Sequence, residues 1–171
     1  MNFLQVAHLQ EAASLLETFY TTVTLADITV DMTMTDTPGQ IDYDRLRPIC
    51  YPNGNVIILT FDKSIPECFD NIEEAWMPEI QHFLPNTPII LVGNKKDLEH
   101  DPKIIQEAKK IGYHPGAEKA AKLPGVVKFL ETSAKTGEGI KEVFEFAALY
   151  ALLGTGQEKT PSIFRRLFSK K

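Results

Sequence analysis

The chain has 171 residues, of which 43% are hydrophobic and 24% charged, with a formal net charge of −5. That length is most simply one domain with enough chain to bury a core, and no run of about 18 apolar residues offers a membrane span. Two cysteines, Cys50 and Cys68, supply neither a disulfide framework nor metal-ligand spacing and point to a reducing compartment, while the N-terminus lacks the basic start of a secretory leader.

Residues 3–20 carry Leu9, Ala12, Ala13, Leu16 and Tyr20 at three- and four-residue steps, the spacing of one helix face. Then the period changes. Ile28, Val30, Met32 and Met34 alternate with Thr29, Asp31, Thr33 and Thr35, which predicts a half-buried strand with one polar face. It delivers the chain to Asp36-Thr37-Pro38-Gly39-Gln40. A strand-end carboxylate followed three residues later by glycine suits a metal and a terminal phosphate; a plain Thr-Pro-Gly turn reads equally well, and proline sits readily in such a turn.

Val56 to Phe61 reads as a strand buried on both faces. Ser64 and Pro66 are placed to open a helix running to about Leu84, which Pro78 should kink or break. Pro85-Asn86-Thr87-Pro88 turns the chain into Ile89 to Val92, an unbroken apolar run ending in Gly93-Asn94-Lys95-Lys96-Asp97. In an open parallel sheet, ligands sit beyond the carboxyl ends of the strands. An amide, a lysine stem and a carboxylate at that place suit a purine ring, and a carboxylate accepts two N–H bonds from guanine.

Asp101-Pro102 opens a helix to about Ile111. A short helix over Ala117 to Leu123 follows, and then a third buried strand from Val126 to Leu130. This strand ends in Glu131-Thr132-Ser133-Ala134-Lys135, and Gly137 and Gly139 lead into a helix through Leu153. The domain therefore closes near residue 154. From Thr155 onward, five basic residues against Glu158 give +4, which leaves −9 on residues 1–154. The acidic body speaks against a nucleic-acid partner. The tail at 155–171, with Ile163, Phe164, Leu167 and Phe168 among its cations, suits weak contact with an anionic membrane surface or a frayed terminus.

Several of these stretches agree in order and spacing with one family. Asp36-x-x-Gly39-Gln40, Tyr43-Asp44-Arg45-Leu46-Arg47-Pro48, Tyr51-Pro52, Trp76-x-Pro78-Glu79, Asn94-Lys95-Lys96-Asp97 and Ser133-Ala134-Lys135 together resemble the Rho family of small GTPases. The resemblance runs from about Asp36 to Tyr150. It implies an α/β fold with a mostly parallel sheet and helices on both faces, GTP or GDP with Mg2+ as cofactors, and GTP hydrolysis as the activity. By the same resemblance Asn94 and Asp97 read guanine and Lys95 packs on the base. Ala134 offers its N–H to the guanine oxygen, with Ser133 and Lys135 shaping the loop. Asp36 serves the metal, Gly39 the terminal phosphate, and Gln40 orients the attacking water. The surface from Gln40 to Pro48 faces exchange factors, GTPase activators and effectors. The location implied is cytoplasmic or peripheral at the inner membrane surface, although Lys170-Lys171 carries no prenylated cysteine motif.

The start of the chain departs from that pattern. The family's Gly-x-x-x-x-Gly-Lys-Ser/Thr is not found: the first glycine is Gly39, the first arginine Arg45 and the first lysine Lys63. If Ser14 to Thr22 stands for the family's first helix, Glu11, Ala12 and Ala13 occupy the glycine, lysine and hydroxyl positions. Losing three or four charge-assisted bonds at roughly 1.5–3 kcal/mol each removes about 5–10 kcal/mol of phosphate affinity, or roughly four to seven decades. Ile41 stands where the family usually has an acid. The sheet is then expected to lack its usual first strand and to have a shortened second. Three readings follow: a Rho-type GTPase whose displayed chain lacks its start, a degenerate pseudo-GTPase that holds partners without turnover, and an unrelated doubly wound protein with chance motifs.

Overall fold

A computed structural model of the chain describes residues 2–7, 17–110 and 117–154. Six strands form one sheet in the order β2-β3-β1-β4-β5-β6. They are β1 (Asn2–Ala7), β2 (Glu17–Leu25), β3 (Ile28–Thr37), β4 (Gly54–Asp62), β5 (Ile89–Asn94) and β6 (Val126–Glu131). Only β2 is antiparallel to its neighbour. The carboxyl ends of β1, β3, β4, β5 and β6 therefore lie along one edge of the sheet.

The middle strands β4 and β5 are mostly apolar because both their faces are covered. Val56, Ile58, Ile90 and Val92 point to one side and pack with α5 (Ile140–Gly154) through Val143, Ala147, Ala148 and Ala151. Ile57, Leu59, Phe61, Ile89 and Leu91 point to the other. There they meet Phe69 of α1 (Pro66–Asn71), Met77 and Ile80 of α2 (Met77–Phe83), and the buried Ile72 and Trp76 between the two helices. The expected α/β architecture, a mostly parallel sheet with helices on both faces, is the one observed.

The first 35 residues fold differently from the expectation. The helix over 3–20 is not formed: its ends belong to β1 and β2, and Leu9, Ala12, Ala13 and Leu16 lie outside the described residues. From Thr18 to Thr24 the chain is dense in threonine, with Phe19, Tyr20 and Val23, side chains that suit a pleated surface better than a helix. Because Tyr20 and Thr22 are in this strand, the assignment of Ser14 to Thr22 to the family's first helix fails, and the second strand runs for nine residues, all paired with β3. A tight turn at Ala26-Asp27, with Ala26 at φ 55°, sets Leu25 opposite Ile28.

The expectation of a missing first strand is also corrected. The backbone of β1 fills the central slot, with Leu4 opposite Met34 on one side and Val56 on the other. Two parallel neighbours offer that segment hydrogen-bond partners along both edges, which the sheet would otherwise leave unpaired. The polar face expected of β3 is exposed at Thr29 and Asp31 only; farther along, Thr33, Thr35 and Thr37 are buried.

Two helix signals also resolve differently. Ser64 does not cap α1; its N–H and hydroxyl both donate to Asp62 Oδ1, at 2.8 and 2.5 Å, and Ile65 precedes the helix. Pro78 does not break the following helix. The turn before it widens into a π-helix over Ile72–Trp76, with the Met77 N–H reaching Ile72 O, and α2 begins with Pro78 in its first turn. The proline ring thereby sits where its missing donor matters least. Asp101 does cap α3 (Pro102–Lys110), accepting the Lys103 N–H at 2.8 Å. The next helix, α4 (Ala117–Ala120), is shorter than expected. The tail lies outside the described residues.

Candidate functional site

The carboxyl edge of the sheet gathers the polar turns that the sequence singles out. After β5 the chain makes a left-handed step at Lys95 (φ 64°) and a single 3-10 turn over Lys96–Leu98. A non-glycine residue in that region stores roughly 1–3 kcal/mol and persists only where its surroundings impose it. Here the turn after β6 imposes it through four hydrogen bonds. The Thr132 N–H donates to Gly93 O at 2.9 Å and the Lys96 N–H to Thr132 O at 2.9 Å. The Thr132 hydroxyl donates to Asn94 Oδ1 at 2.7 Å, and the Ser133 hydroxyl to Asp97 Oδ1 at 2.6 Å. Lys96 adds an ion pair with Glu138.

Electrostatics follow from this geometry. The Ser133 hydroxyl holds the Asp97 carboxyl below its ordinary range, helped by the ammonium groups of Lys135 and Lys95. Asp97 is thus a carboxylate near neutral pH, with Oδ2 turned toward Lys135 Nζ at 3.8 Å. Lys95 Nζ lies 3.6 Å from Asp62 Oδ2, at the end of β4. Ala134 and Lys135 are exposed at the tip of the second loop. Behind both loops, Lys63 pairs with Glu131, and its stem crosses Gly93 so closely that a Cβ there would meet Lys63 Cγ at 2.7 Å. Gly139 closes the second loop at φ +74°, where a Cβ would lie 2.3 Å from Glu131 O. Asn94, Lys95, Asp97, Ser133, Ala134 and Lys135 are therefore brought into one place.

Asp36, Gly39 and Gln40 are not part of that cluster. Asp36 lies near the end of β3 and Gly39 and Gln40 just beyond it, three strand positions from β5, which is about 14 Å at the usual strand spacing. Asp36 stands opposite Val6 and Glu17. Gln40 opens a 3-10 turn over Ile41–Tyr43 and accepts the Tyr43 N–H at 3.1 Å.

The donor set has the chemistry that a guanine ring asks for: an ionised carboxylate, an amide and a lysine stem carried on one pair of bonded loops. Magnesium usually keeps several waters and takes only one or two protein carboxylates beside phosphate oxygens, so a single strand-end carboxylate such as Asp36 fits that role.

One cluster was not foreseen as such. Arg47 is 2% exposed, lies 4.5 Å from the Trp76 ring centre and is bonded to Pro38, Gln40, Asp44 and Glu79. The sequence held a partial signal, since both Arg47 and Trp76-x-Pro78-Glu79 belong to the motifs quoted above. Their contact spans 32 residues and has no local spacing to betray it.

Comparison with known proteins agrees with this architecture. A family model described as "Ras family" matches residues 2–152. The GTP-binding protein rho1 of Schizosaccharomyces pombe is 45% identical over 148 residues, which is 81% of this chain and 73% of that protein. The chain belongs to the Rho family of small GTPases. Also similar are GTP-binding protein rho5 of Schizosaccharomyces pombe, 45% identical over 139 residues (75% of this chain, 69% of that protein), and GTP-binding protein Rho1 of Kluyveromyces lactis, 40% identical over 146 residues (80% and 70%). Membership makes this Rho-family chain a small-GTPase signalling switch in type, and the reading of an unrelated protein with chance motifs falls.

Proposed function

We propose that this chain binds guanine nucleotide as a Rho-type switch whose hold on the purine ring is strong and whose hold on the triphosphate is weak. The observation that carries this is the bonded pair of loops at Asn94–Asp97 and Thr132–Lys135, which keeps Asp97 ionised and fixed by Ser133. Asn94 and Asp97 read the ring edge, Lys95 lies on its face and the Ala134 N–H serves its oxygen. Asp36 would hold Mg2+ with water and phosphate oxygens, Gly39 would meet the terminal phosphate, and Gln40 would orient water for attack.

The weaker half of the proposal rests on residues 8–16, which link β1 to β2. Gly-x-x-x-x-Gly-Lys-Ser/Thr fills eight positions by itself, and these nine hold neither glycine nor lysine. This supports a second reading, a weakly binding or nucleotide-free pseudo-GTPase that presents residues 38–49 to exchange factors, GTPase activators or effectors of Rho type. The exposed Ile41, Leu46 and Ile49 suit that role. In either case the cationic tail would favour an anionic membrane surface over nucleic acid.

Retention of labelled GTP and GDP by the purified chain, with and without Mg2+, decides between the two readings. Tight retention that Mg2+ strengthens supports the switch; loss of label on rapid filtration, with capture of Rho regulators intact, supports the scaffold.

A further inference from the structure

We infer that Arg47 is a positioning residue that holds the segment from Pro38 to Leu46, and Gln40 with it, in place without help from a nucleotide. The functional weight of Gln40 rests on the reading above; the anchoring does not.

The geometry is that of a clamp. The Arg47 guanidinium donates to four oxygens on three parts of the chain. Its Nε–H bonds Pro38 O at 2.9 Å and its terminal nitrogens bond Gln40 O at 3.2 Å, Asp44 Oδ1 at 2.5 Å and Glu79 Oε2 at 2.8 Å. Pro38 and Gln40 flank Gly39. Glu79 belongs to α2, whose Met77 and Ile80 are buried in the core. Glu79 is fixed in turn by the Tyr51 hydroxyl, and Tyr51 packs edge-on against Phe83. The guanidinium face lies over Trp76, 6% exposed.

A buried cation persists only where it is paired and its donors are used. Two carboxylates and two carbonyls do that here. Only a planar fork of fixed donors reaches all four; a lysine ammonium is a point charge with three donors. Switch loops are commonly ordered by contacts to the terminal phosphate and released when it leaves. In this chain the carbonyls on either side of Gly39 are tied to α2 instead, so the segment has an anchor that no ligand supplies.

The test uses the full chain and two readouts. The first is hydrogen exchange at the amides of Tyr43, Asp44 and Leu46, which donate to Gln40 O, Ile41 O and Tyr43 O. The second is the emission of Trp76, the one tryptophan in the sequence. Wild-type amides should be protected without nucleotide, and saturating GTP with Mg2+ should change their rates less than threefold. Arg47→Lys should raise those rates at least tenfold and alter Trp76 emission, while the amides of β4 and β5 keep their protection. Glu79→Gln, which keeps a hydrogen-bonding oxygen for Arg47, should give a smaller rise and so a partial rescue. Should Arg47→Lys also expose the β4 and β5 amides, Glu79→Gln alone decides, by a rise confined to the segment. The inference is overturned if the wild-type segment is unprotected until GTP and Mg2+ are added, or if neither variant changes its exchange. A chain that retains no nucleotide defeats the guanine-binding reading and leaves this comparison intact.

Discussion

The two ends of the sheet's carboxyl edge are built on different principles. At the β5–β6 end, a strained lysine, a depressed carboxyl and two loops are locked together by hydrogen bonds that need no ligand. At the β3 end, Asp36 stands near the end of one strand with Gly39 and Gln40 just beyond it, and the neighbouring strands bring no glycine loop or lysine to them. A guanosine-reading surface can be complete inside a few residues of two adjacent turns. A triphosphate-reading surface must collect amide, ammonium and hydroxyl donors around three separate charged groups. The first survives change elsewhere in the chain; the second depends on one contiguous segment.

The largest expected effect would break this contrast outright. Guanosine and GTP should bind the purified chain within roughly tenfold of each other, against the four to seven decades that a complete phosphate site adds. Calorimetry with both ligands measures this, and a thousandfold preference for GTP would mean that the β3 end is as well equipped as the other. Next in size, Asp97→Ala should weaken guanosine binding by roughly two to four decades, the worth of a pair of charge-assisted bonds at about 1.5–3 kcal/mol each. Asp97→Asn should favour xanthosine, whose ring presents an acceptor where guanine presents an amino group. An unchanged order of guanosine over xanthosine in that variant would remove the role given to Asp97.

Smaller effects sharpen the comparison. Gly139→Ala places a Cβ against Glu131 O at a positive φ, so about 1–3 kcal/mol of stability should be lost. Thermal unfolding reads this as a fall of several degrees in Tm, and the displaced Ser133 loop should weaken guanosine binding as well. The smallest effect is one of pH. The Asp97 carboxyl is lowered when folded, so its contribution is present above its ordinary value of 3.8 and is lost only as pH falls through the lower folded value. Guanosine affinity should be flat from pH 7 to 5. Ser133→Ala removes the main cause of the shift and should move the acid limb of the profile upward. A wild-type profile that already declines at pH 5 would contradict the assignment.

Much of the molecule can be read from the chain because its signals are local. Val56 to Phe61, broken only by Thr60, and Ile89 to Val92 are apolar, and a strand covered on both sides accommodates that in six residues or fewer. The turn at Asn94 to Asp97 carries its chemistry in four consecutive positions. The opening of the chain was harder. Leu9, Ala12, Ala13 and Leu16 satisfy a helical period, while Thr18 to Thr24 satisfies a strand, and the two patterns overlap at Tyr20. The central place of β1 could not be seen either, since a six-residue strand owes its position to neighbours at residues 28–37 and 54–62. Ser64 looked like a cap because its competitor, Asp62, lies at the end of the preceding strand. The Arg47–Glu79 contact joins residues whose separation has no periodic signature.

The position of β1 bears on how the protein is made. On a ribosome, the antiparallel pair β2–β3 emerges soon after β1 and can close at once through its two-residue turn. The other flank of β1 has no mate until residues 54–62 leave the exit tunnel. During that interval the nascent sheet presents a raw margin of backbone amides and carbonyls to solvent, the kind of margin that recruits chaperones or a neighbouring nascent chain. Synthesis that stalls between β3 and β4 would therefore leave this polypeptide at its most adhesive.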